Sequence, residues 1–296
     1  MKILVTGFSG FVAGGILSQA PANWDIHGIG RSEIPKNTGN VHYHRGDIGD
    51  QQAMIHILNS ARPDVVIHTA AIANIDFCEN NRAIAETVNY EATKNLASFC
   101  NEIQAKLIFC STDTVFDGQQ GFYSEEDQPH PINYYADTKT RAEKIVAGSN
   151  PRNVVARLAL VMGLPVVGRG NSFLSDIAEK LEKAEPLRYA VNETRTPIDV
   201  LTLGAALLEL ADSSFEGIIH LAGNTRINRY EMAKQIARFA GFSDDQIIPI
   251  NSNELPGRAP RPDDASLNNL RARSVLKTPM LTFEEGLARF PVLKKK

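Results

Sequence analysis

The stretch Val5–Gly15, VTGFSGFVAGG, joins an apolar run to a segment with helical spacing, and Gly7, Gly10 and Ala13 recur in it at three-residue intervals. Glycine permits a tight turn, and the amino terminus of a helix offers free N–H groups and a positive dipole end to a phosphate. A glycine triplet alone is weak evidence, but its place between a first strand and a first helix is what a pyrophosphate-binding loop requires. The predicted dinucleotide contacts are Gly7, Phe8, Ser9, Gly10, Phe11 and Val12.

Apolar runs of the same kind recur along the chain, and helical periodicity follows each of them: KILVTG, DIHGIGRS, DVVIHTAA, KLIFCSTDTVF and NVVARLALVMG. This alternation predicts a parallel sheet with crossover helices. The runs lack a polar alternate face, as expected where helices cover both sides of a sheet. We therefore predict an α/β fold, a Rossmann-type doubly wound parallel sheet with helices on both faces and a smaller carboxy-terminal substrate-binding lobe.

The domain organisation follows from a change of pattern near Gly163, where prolines and glycines interrupt the alternation before a helix predicted over 173–183. We assign residues 1–163 to an NAD(P)-binding Rossmann domain and residues 164–296 to a smaller mixed α/β substrate-binding lobe. The two are interleaved, because RTPIDVLTLGAALLELA within 195–222 has the apolar content of a helix that returns to the main core.

Composition excludes several classes of function. A formal net charge of -3 provides no basic field to attract nucleic acid. Cys78, Cys100 and Cys110 are odd in number, and neither they nor His68 and His220 have metal-ligand spacing. We therefore predict reduced thiols, no metal site and no catalytic histidine. With no apolar segment of spanning length and no export signal, we expect a cytoplasmic protein without nucleic-acid or membrane partners.

The second predicted strand ends in GIGRS, where an NAD-binding chain usually has an acidic residue for the ribose hydroxyls. Arg31 and Ser32 stand there instead and suit a 2'-phosphate, which favours NADP (NADPH) over NAD. The alternative is an exposed loop arginine. Asp47, followed by Ile48 in RGDIGD, is placed to contact adenine, although an N-cap for the next helix explains Asp47 nearly as well.

The segment INYYADTKTRAEKI, Ile132–Ile145, contains two adjacent tyrosines, of which Tyr135 has a lysine, Lys139, four residues later. Residues four apart share a helix face, so the phenol and the amine point toward the same region. A neighbouring cation favours the ionised phenol and lowers its pKa, which suits proton transfer. The alternative is that Tyr135 packs in a core and Lys139 is solvated.

The chain resembles the extended short-chain dehydrogenase/reductase superfamily in motifs that occur in the same order. These motifs are the glycine loop, TAA at Thr69–Ala71, Asn89, CSTDTVFDG at Cys110–Gly118, and the Tyr135-x-x-x-Lys139 pair. Within the superfamily, STDTVFDG and the later RAPRPDDASL look most like the dTDP-4-dehydrorhamnose reductases, which are sugar-nucleotide reductases. The resemblance implies NADPH-dependent reduction of a carbonyl of a nucleotide-linked 4-keto sugar.

The resemblance also implies roles for matching residues. Tyr135 would protonate the carbonyl oxygen, Lys139 would bind the nicotinamide ribose and lower the pKa of Tyr135, and Thr112 would hydrogen-bond the same oxygen. The implied cofactor contacts after the later strands are Thr69, Ala70, Ala71 and Asn89.

Two departures fall where the substrate should lie. Thr114 replaces the tyrosine of the usual STDYVFDG, and RLALVMG, 157–163, replaces a more aromatic stretch. The candidate substrate contacts are Thr114, Arg169, Arg195, Arg258 and Arg261, since guanidinium groups suit a nucleotide diphosphate. For each arginine, simple solvent exposure is an equal alternative.

Other functions stay open. A sugar-nucleotide epimerase uses the same tyrosine–lysine pair but returns the hydride from a retained cofactor, and Arg31 argues against it because such enzymes usually keep NAD. A non-catalytic NADP-binding regulatory subunit is a second alternative, against which the complete set of Thr112, Tyr135 and Lys139 weighs. The sequence leaves a homodimer open.

Overall fold

The computed structural model describes residues 1–32, 41–166, 173–183 and 185–290. Its strands are β1 Lys2–Thr6, β2 Asp25–Gly30, β3 Val41–Arg45, β4 Val65–His68, β5 Lys106–Thr112, β6 Val154–Leu158, β7 Val161–Met162, β8 Leu187–Ala190, β9 Thr194–Arg195, β10 Ile198–Asp199, β11 Gly217–Leu221, β12 Ile227–Asn228 and β13 Ile247–Ile250.

The α-helices are α1 Phe11–Leu17, α2 Gln51–Ala61, α3 Ile75–Asn80, α4 Arg82–Ala85, α5 Ala92–Glu102, α6 Tyr134–Ser149, α7 Phe173–Glu182, α8 Val200–Ala211, α9 Arg229–Ala240, α10 Leu270–Val275 and α11 Phe283–Ala288. A π-helical turn, Glu86–Glu91, connects α4 to α5. Short 3₁₀ turns lie at Asp113–Val115 and Ser252–Glu254. Within the described part of the chain, no helix is long and apolar enough to cross a bilayer.

The main sheet has seven parallel strands in the order β11-β6-β5-β4-β1-β2-β3. Side chains of α1 and α8 form a core on one face, and those of α2, α5 and α6 form a core on the other. Every residue of β5 is buried, because helices cover both of its faces. This confirms the predicted Rossmann-type doubly wound fold.

Helices α1 and α8 cross through glycines. A Cβ on Gly204 of α8 would lie 2.4 Å from the carbonyl oxygen of Gly15, and a Cβ on Gly15 would lie 2.5 Å from the carbonyl oxygen of Val200. Both distances are shorter than any contact that a real Cβ makes, so the crossing requires glycine at the two positions. The close approach holds α1 directly against α8.

Three two-stranded sheets, β13 with β8, β12 with β9 and β10 with β7, lie outside the main sheet. Together with α7, α9 and α11 they enclose a further core of buried side chains. The smaller carboxy-terminal part that the sequence predicted is therefore present. The last strand of the main sheet, β11, comes from this later half of the chain and pairs with β6.

Candidate active site

Two adjoining cavities open at the carboxyl ends of the main strands. The smaller, of about 230 Å³, is lined by the glycine loop and by residues that follow β2, β3 and β4. The larger, of about 510 Å³, is lined by the ends of β5 and β6, by α6, and by residues from β9, α9 and the segment 258–261. Thr69 and Ala71 line both. Ligands of open α/β sheets bind at this edge, so the two cavities suit a dinucleotide and a second molecule beside it.

The glycine loop forms a tight turn with its amides directed inward. Gly7 has φ of 70°, and a Cβ there would lie 3.0 Å from the Cα of Ala70. Its N–H donates to the carbonyl of Ile29 at 2.7 Å, and the N–H of Gly10 donates to the carbonyl of Gly7 at 2.8 Å. No side chain caps the amino terminus of α1. The first N–H groups of this helix are therefore open to an anion.

The six predicted loop contacts divide into two groups. Gly7, Ser9 and Gly10 line the smaller cavity and Val12 lines the larger one. The Phe8 side chain is fully buried and packs edge-on against Tyr43, with ring centroids 4.4 Å apart. Phe11 packs against the carboxy-terminal core. Neither phenylalanine lines either cavity, so the predicted contacts of Phe8 and Phe11 with a cofactor are not seen.

Arg31 and Ser32 both line the smaller cavity, together with Asp47 and Ile48. The Ser32 hydroxyl donates to the Ser9 hydroxyl at 3.0 Å, which ties the end of β2 to the glycine loop. The Arg31 guanidinium is 76% exposed and lies 3.8 Å from the Asp47 carboxylate. A carboxylate thus stands near the predicted phosphate-reading turn, although it comes from the next strand. The N-cap of α2 is Asp50, so the alternative interpretation of Asp47 as that cap was wrong.

The residues after β4 differ in where they face. Thr69, Ala70 and Ala71 line the smaller cavity, and the Thr69 hydroxyl donates to the carbonyl of Thr6 at 2.6 Å. The structure does not bring Asn89 to either cavity: its amide is buried, accepts from the N–H of Ile72 at 2.8 Å and donates to the carbonyl of Ile72 at 3.1 Å. Asn89 holds the loop after β4 from behind, so its predicted direct contact with a cofactor is corrected to a supporting one.

Thr112, Tyr135 and Lys139 come together on the larger cavity. Thr112 ends β5, and the other two lie on the first turns of α6, whose amino terminus is capped by the Asn133 side chain accepting from the N–H of Ala136 at 2.9 Å. Tyr134 points elsewhere, as its hydroxyl donates to Glu86 at 2.8 Å. The cap and the helical register therefore select one tyrosine for the cavity.

Burial dominates the acid–base properties of the pair. It raises the pKa of Tyr135 well above that of a free phenol, and a hydrogen bond from Thr112 opposes this only in part. Burial also lowers the pKa of the Lys139 amine to about 8. The Lys139 amine lies 4.0 Å from the centre of the Phe109 ring. The expected lowering of the Tyr135 pKa is not found: burial raises that pKa, so Tyr135 keeps its proton at neutral pH.

Thr114 is hydrogen-bonded to the hydroxyl of Thr112. The two Oγ1 atoms lie 3.0 Å apart, and the Thr114 N–H donates to the Thr112 hydroxyl at 3.2 Å. Thr112 also donates to the Asp113 carboxylate at 3.3 Å. Thr114 lines the larger cavity next to Tyr135, where the sequence predicted a substrate contact.

A network of buried and partly buried ionisable side chains forms one wall of the larger cavity. Arg195 Nε lies 3.5 Å from Asp113 Oδ2, and Glu193 pairs with Arg229 at 2.9 Å and with Arg258 at 3.0 Å. All five residues line the cavity. Two carboxyl groups face three guanidinium groups, and burial raises the pKa of the Asp113 carboxyl, so this wall carries an excess of at least one positive charge. An anionic group of a ligand would complete it.

Glu193 and Arg229 were not among the predicted residues. A signal for Glu193 was available in the sequence, because it lies only two residues before Arg195, which was predicted. Arg261 binds Asp76 through both terminal nitrogens, each at 2.7 Å, and closes the cavity rim against α3. Arg169 lies outside the described residues.

His68 and His220 are hydrogen-bonded within the fold. His68 Nδ1 lies 2.7 Å from the Thr6 hydroxyl and Nε2 lies 3.1 Å from the Thr93 hydroxyl. Burial lowers the pKa of His68 and that of His220 to about 3, so both are neutral at physiological pH. Among the described residues, no group of three or more histidine, cysteine or acidic side chains could hold a metal ion.

The sequence is similar to curated proteins of differing roles. It is 28% identical to the probable low-salt glycan biosynthesis reductase Agl14 of Haloferax volcanii, over 97% of this chain and 96% of that protein. It is 31% identical to the methionine adenosyltransferase 2 subunit beta of Bos taurus, over 93% of this chain and 82% of that one. It is 28% identical to the dTDP-4-dehydrorhamnose reductase of Mycobacterium tuberculosis, over 97% and 91%.

Solved structures share the fold over almost the whole chain. A hypothetical dTDP-4-dehydrorhamnose reductase from Sulfolobus tokodaii has a TM-score of 0.85 and 29% identity and covers 95% of this chain and 97% of its own. The dTDP-4-dehydrorhamnose reductase of Bacillus anthracis, solved in complex with NADP, has a TM-score of 0.84 and 24% identity, and the match covers 98% of each chain.

The family model of the RmlD substrate binding domain matches residues 1–293. The resemblance read from the motifs is confirmed, and the chain belongs to the RmlD substrate binding domain family within the extended short-chain dehydrogenases/reductases.

Proposed function

We propose that this protein is an NADPH-dependent reductase of a nucleotide-linked 4-keto sugar. The observation that carries the proposal is the convergence of Thr112, Tyr135 and Lys139 on one cavity that adjoins the glycine-loop cavity. We assign cofactor binding to residues 1–163 with 195–222, and substrate binding to the rest of 164–296. Membership of a family that contains NAD(P)-dependent reductases supports the proposal.

The residues around the smaller cavity fit a dinucleotide. The uncapped amino terminus of α1 suits a pyrophosphate, and the close packing of Gly7 on Ala70 leaves room for one only because glycine has no side chain. Arg31 and Ser32 would hold the 2'-phosphate, and Lys139 the nicotinamide ribose. Bound NADPH would supply the hydride. The NADP complex of the Bacillus anthracis reductase supports this choice of cofactor.

The proton is the part of the reaction that this chain provides. Tyr135 is buried and keeps its proton, so it can donate it to a carbonyl oxygen that becomes negative during reduction. Thr112 can donate a hydrogen bond to the same oxygen. Lys139, charged below a pKa of about 8, stabilises the phenolate that remains after the transfer. Reduction of a carbonyl therefore uses all three side chains.

The charged wall supports an anionic substrate. Arg195, Arg229 and Arg258 lie in the cavity that holds Tyr135, and Glu193 and Asp113 neutralise them only in part. Guanidinium groups bind phosphate oxygens through paired hydrogen bonds. A nucleotide diphosphate attached to the sugar would lie against this wall and direct the keto group toward Tyr135.

A substrate screen tests the proposal. Purified protein is mixed with NADPH and a panel of nucleoside-diphosphate 4-keto sugars and small carbonyl compounds, and loss of nicotinamide absorbance is followed. We expect turnover with a nucleotide-linked 4-keto sugar and little with the free sugar. Turnover of simple aldehydes alone would contradict the assignment of the substrate.

A second candidate function, a non-catalytic NADP-binding regulatory subunit, is favoured by one observation: the 31% identity to the methionine adenosyltransferase 2 subunit beta. NADPH binding without turnover of any compound in the screen, combined with stable association with a partner enzyme, would support it against the reductase.

We predict that NADPH binds more tightly than NADH and that Arg31→Ala removes much of this preference. A charge-assisted contact contributes about 1.5 to 3 kcal/mol, which corresponds to a loss of roughly tenfold to a hundredfold in NADPH affinity. NADH affinity should change little. Fluorescence titration of both cofactors measures the effect, and Arg188→Ala, an exposed arginine on β8, controls for the lost charge. Equal affinities of the unaltered protein for the two cofactors would refute the prediction.

A further inference from the structure

A short segment of the carboxy-terminal half, 258–261, which we call the strap, lines the larger cavity together with Tyr135. Its first residue, Arg258, lies 3.0 Å from Glu193 and belongs to the charged wall. Residues 253–257, which precede the strap, are all exposed, and a Cβ on Gly257 would meet nothing within 4 Å. The chain thus enters the strap from a turn with little packing, so specific contacts decide whether the strap stays in place.

Asp76 of α3 binds the strap through three hydrogen bonds. Its Oδ1 accepts from the N–H of Ala259 at 2.9 Å, and its two oxygens accept from the two terminal nitrogens of Arg261 at 2.7 Å each. The Arg261 side chain is 8% exposed, so the pair is shielded from water on the arginine side. Such a two-pronged contact has a more defined geometry than a single surface ion pair.

The Asn133 side chain binds the strap to α6. Its Oδ1 accepts from the N–H of Ala136 at 2.9 Å and caps the helix, while its Nδ2 donates to the carbonyl of Pro260 at 3.0 Å. Asn133 is 6% exposed and lies two residues before Tyr135. One side chain therefore holds both the start of the proposed catalytic helix and the strap.

These contacts set the separation of two groups across the cavity. Tyr135 is fixed by the helix that Asn133 caps, and Arg258 is carried by the strap that Asp76 and Asn133 hold. A substrate with its carbonyl at Tyr135 and its anionic group at Arg258 needs both groups at one distance. Asp76 is a carboxylate whose two oxygens already accept from the strap, so it does not suit the anionic group itself.

We propose that Asp76 and Asn133 are positioning residues: they hold the strap closed, and the closed strap keeps Arg258 in the wall of the larger cavity at a fixed distance from Tyr135. The effect on turnover rests on the proposed reductase function, whereas the closure of the strap in the free protein does not.

Hydrogen exchange of the strap amides tests the closure without any ligand. The N–H of Ala259 donates to Asp76 and that of Arg261 donates to Asn253 at 3.1 Å, so their exchange reports opening of the strap. Asp76→Asn keeps an oxygen for Ala259 but loses the charge that pairs with Arg261. We expect the strap amides of the full-length variant to exchange about tenfold faster, measured by mass spectrometry.

Asn133→Ser is the second variant, and it keeps the proposal testable if Asp76→Asn does not fold. Serine retains a capping oxygen but has no amide to donate to Pro260, so the strap amides should exchange about two- to tenfold faster while that of Ala136 is unchanged. Glu179→Gln is the matched control, because it removes an exposed carboxylate paired with Lys183 on α7. Exchange at the rate of the unaltered protein in both folded variants overturns the proposal.

Turnover separates positioning from a loss of stability. With a nucleotide-linked substrate from the screen, Asp76→Asn should raise KM about three- to tenfold, while kcat and the dissociation constant of NADPH change less than about twofold. A loss of stability alone would reduce the amount of active protein, which lowers the apparent kcat and leaves KM unchanged. Asp76→Glu retains the charge and should recover most of the loss in KM.

The outcomes for the strap and for the reductase are distinguishable. Absence of turnover in the unaltered protein would count against the reductase alone, and faster strap exchange in the variants would still support closure by Asp76 and Asn133. An unchanged KM in a variant whose strap exchanges faster would overturn the positioning role, because an open strap would then bind the substrate equally well.

Discussion

Replacing Tyr135 with phenylalanine is expected to lower kcat by about 10²- to 10⁴-fold, while the dissociation constant of NADPH changes by less than about threefold. The substitution removes the one buried phenol on the larger cavity that can donate a proton, and it keeps the ring that fills the space between Cys78 and the cavity. Steady-state kinetics with NADPH and a substrate from the screen measure the first quantity, and fluorescence titration measures the second.

Tyr134→Phe is the matched control, because the Tyr134 hydroxyl donates to Glu86 and points away from the cavity. We expect it to retain normal turnover. Lys139→Ala should differ in kind from Tyr135→Phe, since it removes a group assigned to both the ribose and the phenolate and should weaken NADPH binding as well as kcat. Normal turnover in Tyr135→Phe would mean that the proton comes from another group, and the assignment of α6 as catalytic would have to be abandoned.

The features that could be predicted from sequence depend on local spacing. The main sheet follows from apolar runs alternating with helical periodicity, and the phosphate loop follows from glycines placed between β1 and α1. Tyr135 and Lys139 lie on the same face of α6 because they are four residues apart on one helix. In each case a pattern of fewer than about twenty residues contains the information.

The features that escaped prediction depend on long-range contacts or on a local break in periodicity. Asn89 lies in the π-helical turn Glu86–Glu91, where the wider winding shifts the direction of each side chain, so α-helical spacing does not reveal where it faces. Glu193 and Arg229 meet because Glu193 precedes β9, which pairs with β12, and β12 leads directly into α9. No short pattern encodes such a pairing.

The pKa of Tyr135 was mispredicted for a related reason. A sequence shows that a lysine is one turn away, but it does not show how much water surrounds the phenol. In the fold, burial raises the pKa of the phenol, and Tyr135 keeps its proton. For a reductase this is the useful state, since the proton must be present when hydride arrives at the carbonyl carbon.

Glu193 is central to the charged wall of the larger cavity. It is 1% exposed, and its two carboxylate oxygens face Arg229 and Arg258 at 2.9 and 3.0 Å. Burial acts to raise the pKa of the Glu193 carboxyl, but the charges of the surrounding arginines outweigh it and hold that pKa below its ordinary value. The carboxylate is therefore ionised at neutral pH and compensates two guanidinium groups that are only partly exposed to water.

Glu193→Gln should lower the free energy of unfolding at pH 7 by about 1 to 3 kcal/mol, because it leaves the partly buried Arg229 and Arg258 without their ion-pair partner. Urea denaturation measures this, and Glu91→Gln, which breaks an exposed pair with Lys94, should cost less than about 1 kcal/mol. A carboxyl group whose pKa is lowered by folding stabilises the folded state at pH values above its unfolded pKa, and this contribution is lost in acid. The difference in unfolding free energy between wild type and Glu193→Gln should therefore disappear below about pH 4. A gap that persists in acid would show that Glu193 acts through packing and that charge compensation does not hold the wall together.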